Sequence, residues 1–333
     1  MTSTPTTLVL GAGASKPYRF PTGRELAGML NNESDLHELG ELHPLSKRDV
    51  HEFCETFHRS QMYSIDAFLA RRGNDSWSAG APTFGEIGKL AISLVLSRCE
   101  DANRLFINQG DHWYRYLWNC IGTSLDGLKE TQLRIITFNY DRSLEYYLLT
   151  TIQNSFGILR DKAAEHLRYL PILHVYGQLG DLPELAENRN DACAYDHQKV
   201  TAVRIRTGAR SIRVIDEQRD EDEVFARALE WIKTSHRICF IGFGFDSTNV
   251  RRLKLRELRA QSLEASFDSI QCAGYATTYG MEDAERALVI NLLTRGRPLF
   301  GNSEDVRKYI EPYRLHEPEA YLRATGILSR RDG

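Results

Sequence analysis

The chain lacks most features of secreted, membrane and metal-binding proteins. Its six cysteines stand singly, at positions 54, 99, 120, 193, 239 and 272, and none forms a C-x-x-C pair. A zinc site of the four-cysteine type is therefore not expected, and we expect no bound metal. No apolar stretch approaches the length that spans a bilayer, and the first seven residues are polar and uncharged, unlike a signal peptide. These absences predict a cytoplasmic protein.

The chain also lacks a strong charge of either sign. The formal net charge is −3 over 333 residues, and the isoelectric point is about 6.4. This balance provides no overall field that would attract nucleic acid or an anionic membrane, and we expect neither as a partner. The basic stretches 204–213 and 251–259 border or contain acidic residues, so we interpret them as solvated faces.

Apolar runs typical of buried strands alternate with helical stretches. This alternation predicts an α/β fold with a Rossmann-like, doubly wound parallel sheet. The predicted strands are Leu8–Leu10, Leu133–Asn139, Leu170–Val175, Arg237–Phe243 and Ser269–Ala276. One predicted helix begins at Pro21 with Thr22 as its cap, and the others are Arg142–Gln153, Glu221–Ser235, Thr248–Ala260, Met281–Thr294 and Ser303–Ile310. The polar stretch 180–220 has no clear pattern.

Residues 31–130 follow a different pattern. Helical periodicity is present at Val50–Phe57, Phe84–Leu96 and Trp113–Ile121, and β-branched strand runs are absent. We expect a mostly helical insertion between the first two core strands, serving as a lid or as a surface for oligomerisation or a partner. The expected organisation is a catalytic core of 1–30 and 131–300, the insertion 31–130, and a C-terminal helix and tail at 301–333.

Four short segments that could bind a ligand or take part in catalysis follow predicted strands. In a parallel sheet the carboxyl ends of the strands lie at one edge, so these segments are expected to meet in one dinucleotide-binding crevice. They are the glycine turn Gly11–Ser15, the segment Thr137–Asp141, the segment His174–Gly177 and the second glycine segment, Gly242–Asp246.

The two glycine segments allow a close approach of backbone to ligand. In the first, small residues let backbone N–H groups reach a diphosphate. Lys16 occupies the third glycine position of G-x-G-x-x-G, and the P-loop pattern is absent. The alternative is a tight strand–helix turn without a ligand. For the second segment, the alternative to ligand binding is packing at the sheet edge. Asp246 or Ser247 can cap the helix that follows.

Asn139, Asp141 and His174 are the candidate polar residues of the crevice. Asn139 and Asp141 lie two apart on an extended chain, so both side chains are expected on one side. An amide can hold a water or a ribose hydroxyl, and an imidazole can exchange a proton near neutral pH. The alternatives are that Asp141 only caps the next helix and that His174 is a hydrogen-bonded core residue.

In order and combination, these segments resemble the sirtuin superfamily, specifically its bacterial antiphage branch of NAD-degrading sirtuin-like proteins. The glycine turn matches the family's G-A-G-x-S, Thr137–Asp141 is similar to its T-x-N-x-D, and His174 falls at its catalytic histidine. Residues 242–245 stand where the family has a second wall for the nucleotide. The resemblance covers about residues 1–30 and 131–295.

The resemblance implies that NAD is the substrate and that its nicotinamide–ribose bond is cleaved to give nicotinamide and ADP-ribose. It implies that Asn139 positions the water or the ribose hydroxyls, that His174 is the base, and that Asp141 holds the nicotinamide carboxamide. The remaining implied contacts, to the diphosphate and adenosine end, come from Gly11, Ala12, Gly13, Ser15, Gly242, Phe243 and Gly244.

The chain departs from the family's protein deacylases. Those enzymes carry paired C-x-x-C motifs after the catalytic histidine, whereas the stretch 180–220 has only Cys193. This difference favours simple cleavage of NAD. Two alternatives stay open, a non-catalytic module that senses NAD or ADP-ribose and a zinc-free deacylase or ADP-ribosyltransferase.

The resemblance also implies control by other chains. An unregulated NAD hydrolase would deplete its own cell, so we expect gating through a homo-oligomer or a partner such as a HerA-type hexameric ATPase. The expected role is that of an effector in abortive antiphage defence.

Overall fold

The computed structural model describes residues 4–42, 45–107, 112–122, 124–195, 200–213, 223–255, 273–277, 281–282, 285–289, 318–325 and 327–328. The predicted helix Ser303–Ile310 lies outside these residues, as do positions 256–260, 269–272 and 290–294 of three other predicted elements. Among the described helices, none combines the length and the apolar character that crossing a membrane requires.

The described sheet has five parallel strands in the order β3-β2-β1-β4-β5. They are β1 (Thr6–Leu10), β2 (Leu133–Thr137), β3 (Ile172–His174), β4 (Arg237–Ile241) and β5 (Ala273–Ala276). The chain builds one side of the sheet outward from β1 and then returns to build the other, so the predicted Rossmann-like fold is confirmed. The central strand β1 is buried along its whole length.

Strand register explains why the predicted segments share one edge. Leu10, the last residue of β1, pairs with Thr137 on one side and Ile241 on the other, and Thr137 pairs with His174. Four strands therefore end level with one another. Three predicted strands extended one or two residues too far, because Phe138, Val175 and Phe243 are also apolar. The Phe138 N–H still donates to the Leu10 carbonyl at 2.9 Å.

Helices surround the sheet. The insertion contributes α1 (Gly23–Leu30), α2 (Glu33–Leu36), α3 (Leu39–Leu42), α4 (Lys47–Arg59), α5 (Ile65–Arg72), α6 (Phe84–Ser97), α7 (Trp113–Ile121) and α8 (Leu125–Glu130), if α1 at its entrance is included. The later helices are α9 (Ser143–Phe156), α10 (Arg160–Leu167), α11 (Ala202–Ser211), α12 (Glu223–Lys233), α13 (Ser247–Arg252) and α14 (Pro318–Thr325). Residues 285–289 are also helical.

Capping side chains set several helix starts. Thr22 and Glu25 form the expected capping box of α1. Asp246 accepts from the N–H groups of Thr248 and Asn249 at 3.0 and 3.1 Å, which confirms it as the cap of α13. That helix ends at Arg252, earlier than the sequence pattern predicted.

The insertion and the sheet share one hydrophobic core. Phe53, Phe57, Phe68 and Phe84 pack their rings together within the insertion, with centroids 4.9–6.4 Å apart. The Trp113 indole of α7 donates to the Ala14 carbonyl at 2.8 Å, in the glycine turn. The insertion is therefore packed against the edge that carries the candidate site.

The two glycine segments pack directly on each other. The Gly11 and Gly13 N–H groups donate to the Ile241 and Gly242 carbonyls, each at 3.0 Å. Gly242 has φ +58°, and a Cβ there would lie 2.1 Å from the Ala14 nitrogen. These glycines are thus required by backbone contact between two strand ends, whether or not a ligand binds.

Gly242→Ala is expected to destabilise the protein by about 3 kcal/mol or more, because it adds a Cβ in the left-handed region against immovable backbone. Gly244→Ala is the matched control, since a Cβ at Gly244 meets no atom within 4 Å, and its effect should stay within about 1 kcal/mol. Urea denaturation of both variants measures the difference, and equal losses would contradict this packing.

A buried ion pair joins the insertion to the start of α9. Arg142 and Glu100 are 1% and 0% exposed, and two Arg142 nitrogens donate to the two Glu100 carboxylate oxygens, each at 2.9 Å. Arg142 also donates to the Gly180 and Ala194 carbonyls, at 3.2 and 3.1 Å. Arg204 of α11 donates to the same carboxylate. One anion thus holds two cations from distant parts of the chain.

Glu100→Gln is expected to cost about 3–5 kcal/mol of unfolding free energy, because it leaves buried cations without their anion. The control is Glu38→Gln, which breaks the half-exposed pair with Arg98 (3.1 Å) and should cost about 0–1 kcal/mol. Chemical denaturation compares the two, and a small loss for Glu100→Gln would show that the pair is not structurally required.

Candidate functional site

A small cavity lies at the carboxyl edge of β1, β2 and β3. Its volume is about 10 Å³, which is room for roughly one water molecule. The lining residues come from the sheet edge, from α9 and from the insertion; they are Leu10, Ser15, Tyr114, Thr137, Asn139, Asp141, Leu144, Glu145, Ile172 and His174. The structure thus brings together Ser15, Asn139, Asp141 and His174 of the predicted site residues.

Asn139 is fixed so that its amide oxygen has no partner. Its Nδ2 donates to the Gly11 carbonyl and to Ser15 Oγ, each at 3.0 Å. Because a carbonyl can only accept, these bonds determine which end of the amide is the nitrogen. Asn139 is 8% exposed, and its Oδ1 is buried without a hydrogen-bond partner. A buried, unpaired amide oxygen beside a cavity is costly unless a ligand or water satisfies it.

His174 is held at both ring nitrogens. Nδ1 donates to the Asn139 carbonyl at 2.9 Å, and Nε2 lies 2.6 Å from Glu145 Oε1. With an anionic Glu145, both nitrogens carry protons and the ring is an imidazolium. Burial by itself would lower the pKa of His174, but the Glu145 carboxylate and the Asn139 carbonyl outweigh burial and raise this pKa above its ordinary value.

Asp141 lies just before α9 and lines the cavity. Its Oδ1 accepts from the Ser143 N–H at 3.2 Å and from the Ser143 hydroxyl. Burial raises the pKa of the Asp141 carboxyl, and hydrogen bonds from Ser143 and Ser15 oppose that rise. Asp141 thus binds the first N–H of α9, although Arg142 occupies the N-cap position, and this contact coexists with a place in the cavity lining.

Sequence reasoning missed the two ionisable lining residues Glu145 and Tyr114. Glu145 lies four residues after Asp141, in the first turn of α9, so its closeness in sequence to that residue was the available signal. Tyr114 lies far away in the sequence, in α7, and reaches Ser143 Oγ with its hydroxyl at 2.8 Å. Nothing in the local pattern around Tyr114 indicates this contact, since it depends on how the insertion packs.

The remaining predicted residues lie beside the cavity rather than in its lining. Gly11 and Gly13 use their N–H groups to bind the end of β4, as described above. Phe243 packs its ring against Phe138, with centroids 5.0 Å apart, and is 3% exposed. Gly244 is exposed, and Ala12 is half-buried in the turn. These residues flank the boundary between β1 and β4, where the winding of the sheet reverses.

Tyr140, between Asn139 and Asp141, connects the site to the insertion. Its buried hydroxyl donates to Asp66 of α5, and burial raises the pKa of the Asp66 carboxyl. Among the described residues, no cluster of three or more histidine, cysteine, aspartate or glutamate side chains is arranged to hold a metal ion.

No family model matches this sequence, and a search of curated proteins finds no relative. The function must therefore be argued from the site itself.

The raised pKa of His174 predicts a pH-dependent contribution to stability. A histidine whose folded pKa lies above its unfolded value of about 6.5 stabilises the protein fully below that pH. The contribution is then lost as the pH rises through the folded pKa. Unfolding free energies of wild type and His174→Gln, measured from pH 5 to pH 9, should differ most at the acidic end. A difference that grows with pH would contradict the imidazolium assignment.

Proposed function

We propose that this protein hydrolyses NAD at the nicotinamide–ribose bond, giving nicotinamide and ADP-ribose. The observation that carries the proposal is the buried, unpartnered Asn139 Oδ1, which lies next to His174 at the carboxyl edge of a Rossmann-like sheet. This edge is where such folds bind nucleotides. The resemblance of the four strand-end segments to NAD-degrading sirtuin-like proteins supports the same substrate.

The proposed chemistry assigns each residue a task. The leaving nicotinamide ring is cationic, so its departure needs no general acid, and the ribose passes through an oxocarbenium-like state. Asn139 Oδ1 accepts a hydrogen bond from the attacking water or from a ribose hydroxyl. His174, once deprotonated, is the base for that water or hydroxyl. Asp141 holds the nicotinamide carboxamide, and the two glycine segments hold the diphosphate.

The resting cavity is too small for this substrate. A volume of about 10 Å³ accommodates a water, not a ribose with its nicotinamide. Binding of NAD therefore requires the lining side chains to separate. Tyr114 of α7 and Leu144 and Glu145 of α9 line the cavity, so a shift of the insertion or of α9 would enlarge it.

A narrow resting site fits a gated enzyme. We propose that assembly of a homo-oligomer, or binding of a partner such as a HerA-type hexameric ATPase, moves the insertion and opens the cavity. The proposed biological role is an effector of abortive antiphage defence. The contacts of Trp113 with Ala14 and of Tyr140 with Asp66 offer the insertion two attachments to the site.

The second candidate is a module that senses NAD or ADP-ribose without cleaving it. The occupation of both His174 nitrogens favours this alternative, because a fully bonded ring offers no base. A deacylase or ADP-ribosyltransferase would use the same nucleotide pocket. Product analysis after incubation with NAD separates these functions. A hydrolase gives free ADP-ribose with nicotinamide, and a sensing module gives no turnover. A deacylase or ADP-ribosyltransferase gives an acetylated or protein-linked ADP-ribose.

Asn139→Ala and His174→Ala are each expected to reduce NAD hydrolysis by at least about 100-fold, because each removes a group that acts on the reacting centre. Chromatography of nicotinamide and ADP-ribose measures the loss, and circular dichroism checks that both variants are folded.

The matched controls are Asn154→Ala and His37→Ala, which change an exposed asparagine in the later part of α9 and an exposed histidine after α2. Both should hydrolyse NAD at the wild-type rate. Full hydrolysis by the double variant of Asn139 and His174 would exclude the assigned site.

A further inference from the structure

His174 cannot act as a base in the arrangement that the structure shows. The Asn139 carbonyl accepts the Nδ1 proton at 2.9 Å, and the Glu145 carboxylate binds Nε2 at 2.6 Å. No ring nitrogen has a free lone pair facing the cavity. The group that is hydrogen-bonded to Nε2 therefore determines when the ring becomes able to accept a proton.

We propose that Glu145 is a positioning residue for His174, clamping the ring against the Asn139 carbonyl and keeping it protonated until the site is engaged. The proposal rests on the proposed function and adds a residue to it. Side chains of both partners are nearly buried, with exposed fractions of 9% for His174 and 10% for Glu145. Water therefore competes weakly for this hydrogen bond.

Asp141 and Glu145 divide two tasks at the start of α9. Asp141, two residues before the first helical residue, is committed to Ser143, whose N–H and hydroxyl it binds. Glu145 lies in the first turn of the helix, and among the described residues its carboxylate is hydrogen-bonded to His174. Both groups line the cavity.

Other ionisable groups also face His174. They are Asp141 just before α9 and Glu145 within it, and from α7 the Tyr114 phenol lines the same cavity. Asp181, in the loop after β3, also interacts electrostatically with the ring. Glu145 is the ionisable side chain bonded directly to the ring, so its removal should have a larger effect on the proton affinity of His174 than removal of Asp141 or Asp181.

The proton balance is simple. The Nε2 proton leaves to solvent, and Nε2 is left with its lone pair while Glu145 stays anionic. The ring then accepts one proton from the attacking water or the ribose hydroxyl and returns to the imidazolium. No oxidant, metal or further co-reactant is needed.

The test combines Glu145→Gln with two readouts. Glutamine keeps the size of the side chain but removes its charge. NMR titration should show the pKa of His174 falling by about one unit or more, since an adjacent opposite charge typically contributes one to three units. The acidic limb of the pH profile of kcat/KM for NAD should move to lower pH by the same amount. Glu145→Asp retains the charge and should restore most of the wild-type profile.

A second histidine–glutamate pair supplies the matched control. His51 Nδ1 lies 2.6 Å from Glu33 Oε1, and both side chains are more than half exposed. Glu33→Gln should alter the titration of His51 and leave both His174 and the pH profile unchanged.

Two results would overturn the proposal. An unchanged His174 titration in folded Glu145→Gln would show that the contact does not control the ring. Loss of hydrolysis at every pH in Glu145→Gln, with the His174 titration shifted as expected, would make Glu145 itself the base. If wild type does not cleave NAD at all, the proposed function fails, while the NMR titration still decides whether Glu145 positions the ring.

Discussion

The buried Arg142–Glu100 pair is the interaction on which the candidate site most depends. Arg142 immediately follows Asp141, and it is the residue from which α9 begins. Its guanidinium is held by Glu100, which follows α6 within the insertion, and by the carbonyls of Gly180 and Ala194. Since desolvating these charges is expensive, separating the pair would be strongly unfavourable. In the resting structure the start of α9, and with it Asp141, is thereby held against the insertion.

The glycine segments provide the second constraint, and their role differs from the one that their sequence suggests. Glycine turns after parallel strands are typical of diphosphate binding, yet Gly11, Gly13 and Gly242 are already explained by contact between the ends of β1 and β4. Packing and ligand binding are compatible, because both require backbone without Cβ atoms. The glycine pattern by itself therefore does not distinguish a nucleotide site from a closely packed sheet edge. The unpaired Asn139 Oδ1 is the feature that this glycine packing leaves unexplained, and the proposed function gives it a role.

Much of the fold and part of the site could be predicted from the sequence. Apolar runs and glycine turns located all five strands, and the shared sheet edge brought Asn139, Asp141 and His174 together as expected. Helix α11 was missed within the polar stretch 180–220, because its buried face includes Arg204, whose charge is paired with the distant Glu100. Tyr114 and Glu145 were missed for the same reason. Their contacts join positions that are distant in the sequence or hidden in a helix, and local patterns carry no information about them.

In the proposed reaction, the Glu145–His174 pair has an electrostatic role in addition to orienting the imidazole ring. Cleavage of the nicotinamide–ribose bond develops positive charge on the ribose, and an isolated imidazolium nearby would oppose that charge. Paired with Glu145 at 2.6 Å, the ring presents a nearly neutral dipole instead. Loss of one proton then leaves the pair anionic, which favours the cationic ribose and supplies the lone pair that the base requires. In the proposed reaction, a single deprotonation would thus improve both the charge and the chemistry of the site.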